Sequence, residues 1–129
     1  VPLIFSWPGE FQAGVKSDAL VELTDIAPML LELAGEEAPE RMQGRSPLRI
    51  LTGEYPPGRH RDFVRCEYYD ALDQTDGTFA TMYRDDRYKL VVYHVHGLGE
   101  LYDLEKDPEE FENLWDDSDA QAVAGPEES

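Results

Sequence analysis

The most readable alternation of apolar and polar positions runs from Arg87 to Trp115. From Tyr88 to Val95 most residues are β-branched or aromatic, with Tyr88, Leu90, Val92 and His94 on one face and Lys89, Val91, Tyr93 and Val95 on the other. A strand apolar on both sides predicts cover on both. Gly97 and Gly99 interrupt it, and Glu100 to Leu104 reads as a short partner strand. Asp107-Pro108-Glu109-Glu110 then predicts a helix start: Asp107 caps, Pro108 sits where its missing N–H is not needed, and Glu110 closes a capping box. Phe111, Leu114 and Trp115 would share that helix's apolar face.

Upstream, Pro2 to Trp7 is a short apolar run stopped by Pro8-Gly9, the pattern of a buried strand and a tight turn. Thr24 or Asp25 is expected to cap a helix with Pro28 in its first turn, Ile26, Met29, Leu30 and Leu33 on its apolar face, and Gly35 as its stop. A second short helix is expected from about Pro47 to Leu51. Thr52 to Asp62 carries Gly53, Pro56, Pro57 and Gly58 and reads as a connection. Phe63 to Tyr69 and Phe79 to Arg84 have strand character, and the latter joins the strand at Tyr88 through a tight hairpin around Asp85-Asp86. Asp70 to Gly77 is a polar turn region. Beyond Asp116 the tail has few large apolar residues and no period, the pattern of disorder.

Charge narrows the classes of partner. With 28 acidic and 11 basic residues the formal charge is −17, which argues against nucleic acid or an anionic membrane as a partner. Nine of the 11 basic residues lie between Arg41 and Lys89, whereas Gly99 to Ser129 holds 12 acids and only Lys106. No apolar run approaches the length of a membrane span, and the single cysteine sets no redox compartment.

Candidate chemistry is sparse. His94 and His96 would share a face of a regular strand, but no third or fourth ligand stands at a matching spacing, so loop-lining roles are favoured over a metal site. Arg59-His60-Arg61 is the best local case for an anion contact, weighed against a solvated connector. Asp70, Asp73 and Asp76 lack the remaining ligands of a calcium loop and read as turn residues. Cys66, within Val64-Arg65-Cys66-Glu67, reads as a small strand residue.

Four stretches taken in order resemble successive segments of one family: VPLIFSWPG, SDALVELTDIAPMLLELAG, MQGRSPLRILTGE and RYKLVVYH…GELYDLEKDPEEFENL. The family is the sulfatases, within the alkaline-phosphatase-like superfamily, and the resemblance covers most of residues 1 to 116. It implies an α+β or α/β fold class: the C-terminal portion of a sulfatase fold, with a small antiparallel sheet packed by a C-terminal helix. Residues 1–53 would end the larger α/β catalytic domain, 54–61 would connect, 62–116 would form the small subdomain with its helix, and 117–129 would be a disordered tail.

The same resemblance places the chemistry elsewhere. Similar sulfatases use a formylglycine made from Cys or Ser in a Cys-x-Pro-x-Arg setting, and a divalent metal, usually calcium, held by paired aspartates. Cys66 has neither the Pro nor the Arg, and the later metal-binding pair and lysine would lie just upstream of Val1. The chain is thus expected to hold no catalytic residue, metal or cofactor and to be inactive alone. Its partners would be the N-terminal catalytic portion of the same protein and, for the parent, a sulfate ester. His94, His96, Arg59 and His60 are the candidates to reach the substrate cleft, with the His94 to Gly97 loop foremost. Two alternatives stay open: the C-terminal part of a related phosphodiesterase or phosphonate hydrolase, and a noncatalytic interaction module. Against the module, Val1-Pro2 opens in the middle of an expected sheet strand, whose exposed edge would invite self-association.

Overall fold

A computed structural model describes residues 2–70 and 77–120, and the chain divides into two compact units, Val1–Asp62 and Phe63–Ser129. Asp73 and Asp76 of the polar turn, and the tail from 121 onward, lie outside the described residues.

The first unit is built on helix α1 (Ile26–Leu33), preceded by a 3-10 turn over Leu23–Asp25, and on the one-turn helix α2 (Leu48–Leu51). Helix α1 stops as the sequence predicts. Gly35 has φ +77°, its N–H donates to Glu32 O at 3.0 Å, and the Glu36 N–H donates to Leu31 O at 2.9 Å, which satisfies two of the helix's last carbonyls. Met29 of α1 and Ile50 of α2 are buried, as are Pro28 and Pro47, whereas Leu30, expected on the buried face, is 56 % exposed. The strand expected over Pro2 to Trp7 is absent. A strand needs a ladder partner, and among described residues 2–62 there is no other strand to supply one. Instead Glu10 and Phe11 fold back on Trp7 O at 3.1 and 3.0 Å, and Ile4 is 84 % exposed. An open apolar cavity of about 490 Å³ is left in this unit, lined by Leu3, Ile4, Phe5, Phe11, Val15 and Ile50 among others.

The second unit is an antiparallel meander of four strands in sequence order: β1 (Phe63–Tyr69), β2 (Phe79–Asp85), β3 (Tyr88–Tyr93) and β4 (Leu98–Asp103). The β2–β3 loop is Asp86-Arg87, one residue later than expected. Neither residue adopts the positive φ that two-residue hairpins usually favour. The turn is held by the Asp85 carboxylate, whose Oδ1 accepts from the Arg87 and Tyr88 amides at 2.8 and 2.6 Å. β3 ends at Tyr93 rather than Val95, because residues 94–97 form a turn closed by Gly97 at φ +61°. β4 accordingly begins at Leu98.

The helix expected from Asp107 is not formed; residues 107–117 are turns and extended chain. Glu110 takes a left-handed φ of +59°, and its carboxylate pairs with Lys89 instead of closing a capping box. Asp107 Oδ2 accepts from the Glu112 amide at 2.8 Å. What outweighs the local helix signal is a set of bonds available only to an extended chain beside β4. The Asn113 side chain donates to Gly99 O at 3.2 Å and accepts from the Leu101 amide at 3.0 Å, while the Leu114 amide donates to Leu101 O at 2.8 Å. Asn113 thus imitates a strand backbone and closes the outer edge of β4. Trp115 lies so close over Gly99 that any side chain there would overlap the indole. Under this cover Leu101 is 2 % exposed.

Candidate functional site

In the first unit, three separate stretches converge on one carboxylate. Asp25 is 1 % exposed, and a buried carboxylate must be compensated or it protonates. Its Oδ2 accepts from the Glu22 amide at 2.8 Å, and its Oδ1 accepts from the Arg45 amide at 2.7 Å and from the Arg61 guanidinium. Arg61 also reaches Glu22 at 2.8 Å through Nη1. His60 Nε2 lies 3.0 Å from Arg45 O, which as a carbonyl can only accept, so the proton is on Nε2; the same nitrogen is 3.5 Å from Asp25 Oδ2. The side chains of His60 and Arg61 are each 9 % exposed. Gly44, beside this cluster, passes so near the Thr24 carbonyl that no side chain would fit.

Of the Arg59-His60-Arg61 triplet, therefore, two members turn inward and hold the 3-10 turn to the 45 loop, and only Arg59 stays in solvent, paired with Asp62. Sequence reasoning read Asp25 merely as a helix cap. The signal for more was the basic character of residues 59–61, since a buried carboxylate is commonly matched by a cation.

In the second unit His94 and His96 fall in the turn after β3, not on a strand, and both are exposed. His94 Nε2 is 2.8 Å from Thr81 Oγ1, and its imidazole stacks at 6.4 Å and 25° on Tyr69, which in turn meets Phe79 edge-on at 5.5 Å. Neither Tyr69 nor Thr81 was singled out from sequence. Register reveals them: Tyr69 pairs with Phe79, and Glu67 with Thr81.

A two-pronged ion pair ties the start of β3 to the end of β4. Arg87 grips Asp103 with two nitrogens at 3.2 and 2.8 Å, and the bonded guanidinium is the main reason the Asp103 carboxyl is pulled down to about 2. Tyr93 is raised above the usual phenol range, chiefly by donating to Glu100 at 2.8 Å.

No group of three His, Cys, Asp or Glu side chains among the described residues converges in a way that would hold a metal ion. Cys66 is free and exposed on β1.

Comparison with known proteins defines the class as the C-terminal portion of a sulfatase. The chain is 35 % identical over 116 residues to the Delta 4,5-hexuronate-2-O-sulfatase of Bacteroides thetaiotaomicron, covering 88 % of this chain and 24 % of that protein. It is 31 % identical over 117 residues to the N-acetylglucosamine-6-O-sulfatase of the same organism, covering 89 % and 21 %. A solved protein in complex with its substrate D-glucosamine-2-N,6-O-disulfate superposes with TM-score 0.76 at 25 % identity, over 92 % of this chain and 24 % of its own. A phosphonate monoester hydrolase from Silicibacter pomeroyi follows at TM-score 0.62 and 27 % identity, over 77 % and 22 %. The chain thus spans about a quarter or less of the length of these proteins. Residues 1–126 match the family described as N-sulphoglucosamine sulphohydrolase, C-terminal, and the chain belongs to that family.

Proposed function

We propose that these 129 residues are the C-terminal part of a hydrolase that cleaves sulfate esters of saccharides, and that they complete its fold and line its substrate cleft without carrying the reacting groups. The observation that carries this reading is the match of residues 1–126 to a sulfatase C-terminal family, in a chain that spans about a quarter or less of the length of its sulfatase relatives. Saccharides are chosen because the relatives' names include hexuronate, N-acetylglucosamine and ulvan sulfatases.

The parent would use a divalent cation, calcium, and a formylglycine held by its N-terminal portion. The open apolar cavity of the first unit is where that portion would supply the missing packing. Of the four cleft candidates, His94, His96 and Arg59 are solvent-accessible, while His60 is committed to Asp25 and Arg45. A second reading, a phosphonate or phosphate ester hydrolase, is favoured by the likeness to phosphonate monoester hydrolases.

The test is turnover by the full-length parent of N-acetylglucosamine 6-sulfate, 4-nitrophenyl sulfate and a phosphonate monoester. Sulfate release by the parent and none by the 129-residue chain is expected. Preference for the phosphonate would transfer the chain to the second reading, and turnover by the chain alone would overturn the noncatalytic role.

A further inference from the structure

We propose that Tyr69, Phe79, Thr81, His94 and Glu67 form a subsite for the uncharged, hydroxylated face of a sugar ring adjoining the sulfate ester, an inference that rests on the saccharide sulfatase reading above. Antiparallel register puts all four strand residues on one face of the β1–β2 hairpin: Tyr69 stands opposite Phe79, and Glu67 opposite Thr81. His94 joins them from the turn after β3, where its amide donates to Phe79 O at 2.9 Å and Thr81 Oγ1 holds its Nε2 at 2.8 Å. The imidazole is therefore positioned before any ligand arrives, which lowers the ordering cost of binding.

The platform is open. Tyr69 is 56 % exposed although Phe79 and His94 both lean on it. The face of an aromatic ring carries partial negative charge and attracts the positively polarised C–H groups of a pyranose. Around it stand an acceptor-only carboxylate, a hydroxyl and an imidazole, and sugar hydroxyls, which both donate and accept, complement that set.

Charge then decides which part of the substrate fits. Glu67 lies on the platform and Asp70 follows Tyr69, while the nearby cation Arg65 is 3.6 Å from Glu67. A sulfate group would meet like charge here, so the subsite takes the neutral ring and leaves the ester to the catalytic portion. Burial beneath another protein surface would desolvate the Glu67 carboxylate, at a cost a hydrated sugar avoids.

The test compares wild type, Tyr69→Ala and Tyr69→Phe in the full-length parent, with N-acetylglucosamine 6-sulfate and 4-nitrophenyl sulfate. Tyr69→Ala should raise KM for the sugar sulfate about tenfold, leave its kcat nearly unchanged and spare both constants for the aryl ester; Tyr69→Phe should behave as wild type. An unchanged sugar KM, or equal losses on both substrates, would overturn the subsite. If wild type hydrolyses neither ester, the sulfatase reading fails, and calorimetric titration with N-acetylglucosamine then decides the subsite. Binding lost in Tyr69→Ala supports it, and no binding to wild type overturns it.

Discussion

The two units solve the problem of a small core by different means. The second joins four strands by continuous ladders and closes one edge with Asn113. The first has eight residues of α1, four of α2 and no sheet, and its distant stretches meet on the carboxylate of Asp25. Among the described residues the second buries Val64 and Leu101, and the first Met29 and Ile50 with Pro28 and Pro47. Backbone pairing, not burial, is what separates them. A ladder is satisfied within its own unit, whereas the first unit leaves an open apolar cavity of about 490 Å³ whose lining lacks packing partners on the open side.

The contrast can be broken most forcefully at Asp25. Asp25→Ala leaves Arg61 buried with one fewer acceptor and two amides unpaired, and should cost the full-length protein about 3–5 kcal/mol in urea unfolding; a loss of less than about 1 kcal/mol would mean the cluster is not the anchor of the first unit. Arg61 Nε is already buried without a partner among the described residues, so the network has no spare acceptor to offer.

A smaller effect is expected in the second unit. Asn113→Ala strips partners from the Leu101 amide and Gly99 carbonyl and should cost about 1–3 kcal/mol, with exchange of the Leu101 amide accelerated most. Replacement by Asp should restore the acceptor but not the donor.

Acid provides a graded probe of the same unit. The Asp103 carboxyl is depressed to about 2 by Arg87, so its stabilising contribution is complete above the ordinary carboxylate value near 4 and is lost as pH falls through about 2. Thermal unfolding should therefore show an acid-dependent loss below about pH 4 that Asp103→Asn removes; identical pH profiles would contradict the pairing. At the far end of the scale, Arg59→Ala breaks an exposed pair with Asp62 and should leave Tm within about 2 °C.

These differences also set what could be read from sequence. β1, β2 and the start of β3 follow from alternation because each strand pairs with its neighbour in sequence. The strand at Pro2 to Trp7 and the buried face of α1 at Leu30 were misjudged because their expected cover is not in residues 2–62. The helix from Asp107 was misjudged for the opposite reason: a good local start signal gave way to the bonds Asn113 makes with β4. At the candidate site, His94 was legible as a histidine near a turn, but Tyr69 and Thr81 became visible only through register. His60 was legible as a cationic neighbour and not as a partner of Asp25, 35 positions earlier in the chain.

Hydrogen exchange of the isolated 129-residue chain tests the central claim most directly. Amides of β2 and β3 should be strongly protected, while those of α1 exchange nearly as in an open chain and gain protection only in the full-length protein. Equal protection of α1 and β3 in the isolated chain would contradict the account, because the first unit would then stand on its own.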